Sequence, residues 1–291
     1  MIVFSEHTTL NSESARDLEQ VTKVAQASGC RVYFIPSDFD DCGDAEGALC
    51  YVPQQQIPKK AVYIGYIPTI ERYNEIYNAA KQKNIYLVNS PQEYALAEHF
   101  HLYYSSIEDL TPKSYFLTDE TMIDELDLTF PVFVKGTILS LKSLGIGIVH
   151  DKEQLRKVAH DLFCKYKKQT VGNVIVREYA KLRHVRTSKL GFPFGREYRV
   201  FLYKGEVLSY GYYWDGEDEL SKLSATEESE VLYLAQKAAK RISTPYIAID
   251  IGQLESRKWI VIEMGDGQFC GATHVPLFQL WNELLAKVRK F

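Results

Sequence analysis

The chain has 291 residues, 46% hydrophobic and 25% charged, with a net charge of −4 at neutral pH. That length and balance describe one large or two modest globular domains with a sizeable core, and the acidic balance argues against a general nucleic-acid-binding surface. No run approaches the ~20 apolar residues of a membrane span, and MIVFSEHTTL lacks a signal peptide's basic head and apolar run. The five scattered cysteines show no zinc spacing, so reduced thiols and a cytoplasmic location are expected.

In chain order, Ile2–Phe4 reads as a short apolar strand. Ser12–Ala27 reads as a helix with Leu18, Val21, Val24 and Ala25 on one face, ended near Gly29. Arg31–Pro36, Ala61–Pro68 and Ile85–Asn89 read as further strands, with a helix over Glu71–Lys83. Strands separated by helices predict a parallel, doubly wound sheet. The stretch Asp38–Gln56, rich in Asp, Gly, Pro and Gln, is expected to be an exposed loop. Pro91 suits an early position of a helix running to Phe100. The pattern changes at Thr111-Pro112, which puts a boundary near Glu108.

Beyond the boundary strands dominate. Pro131–Gly136 is one, and LKSLGIGIVH holds a glycine-bearing turn leading to another. Asn173–Ala180 follows, then REYRVFLYKGEVLSYGYYW, two strands joined at Lys204-Gly205. YIAIDIG and WIVIEMGDG are expected to pair across Gln253–Lys258. Helices are expected over Asp151–Lys165, with Asp151 as N-cap, over Ser224–Arg241 and over Pro276–Phe291. The whole reads as an α/β part, residues 1–107, followed by an α+β part, residues 108–291.

Two apolar strands end in acids: YIAID at Asp250 and WIVIE at Glu263, with Asp266 close behind. On a hairpin Asp250 and Glu263 can lie side by side, and two or three oxygen ligands at one point suit Mg²⁺. Lys135 follows PVFV, where a buried ammonium needs a partner. Shortly after it, SLKSLGIGIV offers glycines that let backbone N–H groups approach an anion, and Lys142 adds charge. The segment is neither a Walker loop nor a dinucleotide fingerprint. NVIV runs into Arg177-Glu178-Tyr179-Ala180, a strand end whose backbone groups can grip a planar base.

Arg183, His184, Arg186, Lys189, Arg196 and Arg199 form a dense positive segment. Arg199 alternates with Tyr198 and Val200, which gives that strand one charged face. Its guanidinium fork suits a terminal phosphate or an acyl-phosphate. Arg183, Arg186 and Arg196 are the candidates for holding an acidic substrate. The seven histidines are dispersed and no GxSxG occurs, so no nucleophile triad is expected. Cys270 reads as a packing residue.

In this order, PVFVKG, SLKSLGIGIV, VIVREY, GREYRVFLYKGEV, YIAIDIG and WIVIEMGDGQ resemble the ATP-grasp superfamily. NSPQEYALAEHF and DLTPKSYFL look like the junction that precedes the grasp. The arginine usage and the EMGDGQ ending are similar to the clade named for two arginines and one lysine, whose members are mostly predicted carboxylate–amine ligases. The resemblance implies a pre-ATP-grasp, Rossmann-like domain over 1–107 and an ATP-grasp domain over 108–291, whose subdomains, 108–176 and 177–291, grip ATP between them.

It also implies ATP and Mg²⁺ as cofactors. Lys135 and Lys113 would contact phosphates, and the turn bearing Lys142 would close over them. Glu178, Tyr179 and Lys181 would form the adenine hinge. Arg199, with Lys135, would face the reacting phosphate, and Asp250 and Glu263 would bind the metal. Two residues after the metal-binding Glu, most ATP-grasp enzymes carry Asn; here Gly265 stands there. Either Asp266 substitutes as a ligand or the second metal is held more weakly. The implied reaction joins a carboxylate to an amine, on an amino acid or peptide, through an acyl-phosphate. A phosphotransferase of the same fold and a nucleotide-binding module without catalysis are the alternatives. A homodimer is a possible assembly, and no nucleic-acid or membrane partner is expected.

Overall fold

Apolar strands alternate with amphipathic helices in the first ninety residues, and in the computed structural model, which describes residues 1–7, 12–37, 42–138, 147–189 and 191–288, they form a parallel sheet. Its strands are β1 (Ile2–His7), β2 (Arg31–Pro36), β3 (Lys59–Ile64) and β4 (Ile85–Leu87), in the order β2-β1-β3-β4. Every pairing within it is parallel, as the alternation requires. Helix α1 (Glu13–Ala27) starts at Ser12, whose hydroxyl accepts from the Ala15 amide, and α3 (Ile70–Gln82) starts at Thr69 in the same way.

The expected loop Asp38–Gln56 contains a short helix, α2 (Ala45–Ala48), capped by Asp44. Ala45, Ala48, Leu49 and Val52 are buried against Ile35, Tyr73 and Ile76. Apolar residues three and four apart outweigh the loop-like composition around them, while residues 38–41 lie outside the described residues.

The helix expected to run to Phe100 ends two residues earlier, and a second, unexpected one follows it. Helix α4 (Pro91–Glu98) opens with a capping box between Ser90 and Glu93, and the chain turns extended at His99 (φ −98°, ψ 99°) before α5 (Phe100–Ile107). The break lets α4 lie against α3 while α5 turns Phe100, Tyr103 and Ile107 into the next core.

A second, antiparallel sheet follows: β5 (Ser114–Leu117), β6 (Val132–Gly136), β7 (Ile148–Val149) and β8 (Val174–Glu178), in the order β5-β8-β6-β7. Helix α6 (Lys152–Lys165), with Asp151 as its N-cap, packs Leu155, Ala159 and Leu162 onto this sheet's Val132, Val134 and Val176; α7 (Lys167–Thr170) follows it.

The third sheet is built from β11 (Glu197–Tyr203), β12 (Glu206–Tyr212), β13 (Tyr246–Gln253) and β14 (Trp259–Asp266), in the order β12-β11-β13-β14; β9 (Arg186–Thr187) and β10 (Pro193–Phe194) form a small ribbon before it. Alternation along the strands gives the third sheet two different faces. Val200, Leu202, Ile247, Ile249 and Ile251 meet α5 and α8 (Ala225–Ala239), while Phe201, Tyr203, Tyr246 and Ala248 share a core with α9 (Leu277–Val288). Burying a side chain such as Leu284 of α9 contributes about 1.5–3 kcal/mol. The first sheet joins the third along a polar seam. Asn89 exchanges two hydrogen bonds with the Tyr246 backbone (2.7 and 2.9 Å), and Gln268 accepts one from the Tyr63 amide (2.9 Å).

Candidate active site

Lys135, Arg199, Asp250 and Glu263, far apart in sequence, line one cavity of about 810 Å³. Antiparallel register aligns Arg199 with Asp250 and Asp250 with Glu263 across β11, β13 and β14. Arg199 binds both oxygens of Asp250, Nε to Oδ1 and Nη2 to Oδ2, each at 2.8 Å. Its remaining nitrogen donates to the Gly271 carbonyl (2.8 Å), and the guanidinium lies 4.7 Å from the Tyr213 ring centroid. The Lys135 ammonium, nearly buried on β6, pairs with Glu263, which supplies the partner that such a lysine requires.

A β-bulge aims Glu263. Before it, Trp259 and Val261 of β14 face the α8 core; after it, Met264 does. Val261 opposes Ile251 and Glu263 opposes Asp250, so Ile262 is the extra residue. Without the bulge, strand parity would bury Glu263 on the α8 side; with it, the carboxylate turns to the cavity beside Asp250.

A narrower slot of about 70 Å³ opens beside the cavity and shares Lys135, Phe192 and Glu263 with it. Phe133, Leu182 and Ile262 give it apolar walls, and the strand end Glu178-Tyr179-Ala180 forms its rim. Behind it the buried Arg177 donates to the Ile262 carbonyl (2.7 Å) and to Thr111 (3.2 Å), joining the second sheet to β14. Of the expected hinge residues, Glu178 and Tyr179 line the slot. Lys181 instead pairs with Glu255 (3.1 Å), and Lys113 lies over the Tyr115 ring (5.0 Å). Both lysines border a separate shallow hollow on the outer side of the strand end, so Lys113 is not among the groups brought to the cavity. Lys142 lies outside the described residues.

The arginines expected to hold a substrate have other partners, and none of the three lines the cavity. Arg196 is buried and donates to Glu227, Gln253 and the carbonyls of Leu220 and Lys222. Arg183 donates to Gln253 (2.6 Å). Arg186 pairs with Asp218 (2.8 Å) and binds the carbonyls of Asp215 and Gly216. Nearby acceptors, at the start of α8, the end of β13 and the loop after β12, take these side chains up before any ligand arrives. From the same segment Ser188, Lys189 and Phe192 reach the cavity wall instead.

Asp266 does not face the cavity either. Three residues beyond Glu263, it is fully buried and accepts from Asn89 Nδ2 (2.8 Å) and the Gln268 amide (2.9 Å). Burial pushes its carboxyl up to about 7, against those hydrogen bonds. Contrary to the expected metal-binding role, its carboxylate is turned into the seam and does not line the cavity. The sequence reading missed Glu98, the last residue of α4, which lines the cavity and accepts from the Asp266 amide (2.6 Å). Burial, reinforced by Asp266, pushes Glu98 up to about 8. A carboxylate at a helix end gives no sequence signal of where it points.

Asp250 and Glu263 stand opposite one another on neighbouring strands and both line the cavity, and burial pushes the Cys270 thiol in the same wall well up, which keeps it protonated. Hard oxygen donors without imidazole or thiolate fit Mg²⁺. The sequence pattern of an ATP-grasp domain, family 3 of the clade named for two arginines and one lysine, matches residues 120–284. The chain belongs to this ATP-grasp family.

The ATP-grasp chain resembles VanG D-Ala:D-Ser ligase from Enterococcus faecalis, with a TM-score of 0.66 at 14% identity over 99% of this chain and 97% of that one. It is similar to the D-alanine–D-alanine ligase from Bacillus anthracis solved with ATP (0.64, 13%, 99% and 97%). It is also similar to a RimK-domain ATP-grasp protein from Sphaerobacter thermophilus (0.58, 11%, 98% and 100%). At such identities the likeness is one of fold. A sequence search among curated proteins gave no match. Among the described residues of this ATP-grasp protein, no helix is long and apolar enough to cross a membrane.

Proposed function

We propose that the protein is an ATP- and Mg²⁺-dependent carboxylate–amine ligase that acts on an amino acid or peptide through an acyl-phosphate. The observation that carries this reading is the convergence of two cations, Lys135 and Arg199, and two carboxylates, Asp250 and Glu263, on one cavity continuous with an apolar slot. The slot would take adenine, with the Glu178–Ala180 backbone at its rim. The cavity would take the triphosphate and the acceptor. Residues 1–107 would serve as the pre-ATP-grasp domain, giving the cavity Ile67 and Glu98. Among fold relatives, a D-Ala:D-Ser ligase and a D-alanine–D-alanine ligase join amino acids, which supports this class of substrate.

Lys135 and Arg199 would bind the transferring phosphoryl oxygens, each giving up part of its present carboxylate partner. A substrate carboxylate attacks the γ-phosphorus, and the bond to the β-phosphate oxygen breaks. An amine then attacks the acyl carbon and phosphate leaves. Mg²⁺, when bound at Asp250 and Glu263, supplies charge neutralisation to the phosphates. The side chains contribute position and electrostatics, with no covalent step on the protein. The test is a phosphate-release screen of the full chain with ATP, Mg²⁺, amino acids and dipeptides. Asp250→Asn and Glu263→Gln are each expected to lose at least ~100-fold of substrate-dependent turnover. Turnover that survives both changes rejects the reading.

A further inference from the structure

We propose that Glu120, His160 and Cys164 form a Zn²⁺ site, a clasp that ties helix α6 to the short 3₁₀ helix Glu120–Glu125. Their ligand atoms, a carboxylate oxygen, an imidazole nitrogen and a thiol sulfur, all lie within 4.8 Å of one another. None of the three lines the cavity, so the inference stands apart from the nucleotide reading.

The site follows from the stripe that α6 turns toward the 3₁₀ helix. Lys152, Arg156, His160 and Cys164 come one helical turn after another, so each is the neighbour of the next. Lys152 and Arg156 both pair with Asp124 (3.3 and 2.5 Å), and His160 Nδ1 meets Glu120 (2.8 Å). At its first two positions the stripe offers an ammonium and a guanidinium, which clasp a carboxylate unaided. At its last two it offers an imidazole and a thiol. A thiol is a weak hydrogen-bond donor and adds little to an ion pair, whereas its thiolate is a strong metal ligand. The change of chemistry along one stripe separates the Glu120 end from the ionic clasp at Asp124.

Distance and donor type select the ion. Cys164 Sγ stands 3.9 Å from His160 Nδ1, which stands 2.8 Å from Glu120 Oε1. Zn²⁺, bonded at about 2.3 Å to sulfur and about 2.0–2.2 Å to nitrogen and oxygen, holds tetrahedral ligands about 3.4–3.6 Å apart. Seating it asks these two separations to change by about 0.6 Å or less. Glu120 and His160 side chains are 42% and 59% exposed, so both have room to adjust. A sulfur and an imidazole nitrogen are too soft for Mg²⁺ and suit Zn²⁺, with water in the fourth position. On binding, the Cys164 S–H bond is replaced by S–Zn and the proton passes to solvent. The cysteines show no zinc spacing among themselves because the third ligand lies 40 residues before His160 and only the fold brings it near.

The experiment titrates Co²⁺, a spectroscopic substitute for Zn²⁺, into the untagged full chain and reads the thiolate-to-metal charge-transfer band. Zn²⁺ affinity is then measured by competition with a chromophoric chelator. Wild type is expected to give the band with one equivalent of Co²⁺. The double variant Cys42→Ser with Cys50→Ser, which lacks the other two exposed thiols, is expected to keep it. Cys164→Ser is expected to abolish it. His160→Ala and Glu120→Gln are each expected to weaken Zn²⁺ at least ~10-fold. Saturating Zn²⁺ should raise the melting temperature of wild type and leave that of folded His160→Ala unmoved. A band that persists in Cys164→Ser, equal Zn²⁺ affinity in wild type and folded His160→Ala, or a wild-type chain that gives no band each overturns the inference.

Discussion

The cavity wall and the polar cluster at the start of β11 are both made of arginine paired with acid, yet they have opposite standing. Arg199 meets Asp250 across one pair of strands and stays on the cavity wall. Arg196, three residues earlier, meets Glu227 at the start of α8 and fills its other N–H groups with Gln253 and two carbonyls. Three residues along a strand reverse the face. The same interval separates Glu263, in the cavity, from Asp266, in the seam. Proximity in sequence groups these charges; strand parity divides them into one set that can exchange partners and one set that fastens the fold.

The sharpest way to break this contrast is at the two arginines. Arg199→Lys keeps the charge but loses the fork that spans both Asp250 oxygens, and is expected to cost about 1,000-fold in turnover while the melting temperature barely moves. Steady-state kinetics beside calorimetric melting decides it; a large loss of stability would move Arg199 into the fastening set. Arg196→Met should do the reverse. It takes the half-buried Glu227 carboxylate's cation away, leaving it the Ser224 donors, and is expected to destabilise by about 3 kcal/mol in urea unfolding, with nucleotide affinity of the folded fraction retained.

The Arg196 pair also carries a pH signature. Hydrogen bonding from Arg196 lowers Glu227 from 4.5 to about 2. A depressed carboxyl adds stability that is present above its unfolded value and lost as pH falls through the folded one. The melting-temperature gap between wild type and Glu227→Gln should therefore close between pH about 4.5 and about 2.

Smaller effects refine the division. Asp266→Asn sets an amide NH₂ against the donors Asn89 and Gln268, and is expected to cost about 2 kcal/mol of unfolding free energy without changing Mn²⁺ affinity. A tenfold fall in Mn²⁺ affinity in a stable Asp266→Asn chain would return Asp266 to the metal site. Arg186→Gln loosens a partly exposed pair with Asp218 and should cost about 1 kcal/mol or less, read from the urea midpoint, with the KM for ATP unchanged.

Much of the fold was legible because its signals are local. Apolar runs between helices predicted the parallel sheet, Lys204-Gly205 predicted the β11–β12 hairpin, and paired apolar strands predicted Asp250 beside Glu263. The aim of Glu263 was not legible in full, because it depends on where the bulge inserts its extra residue. The arginines misled because a count of charges carries no count of nearby acceptors: Glu227 and Asp218 lie 31 and 32 residues from the arginines they hold. Glu98 was invisible because its place on the cavity wall is set by where α4 ends, just before the break at His99.

The seam through Asn89 bears on how the molecule can be divided. Cutting the chain at the sequence boundary near residue 108 would strip the Tyr246 backbone and the Asp266 carboxylate of Asn89, and leave Phe201 and Leu280 without Val3 and Val62 in their shared core. It would also take one wall from the cavity, since Ile67 and Glu98 come from the discarded part. The matched segment 120–284 marks where the family is recognised, whereas the shared core and the cavity wall also draw on residues 3–98.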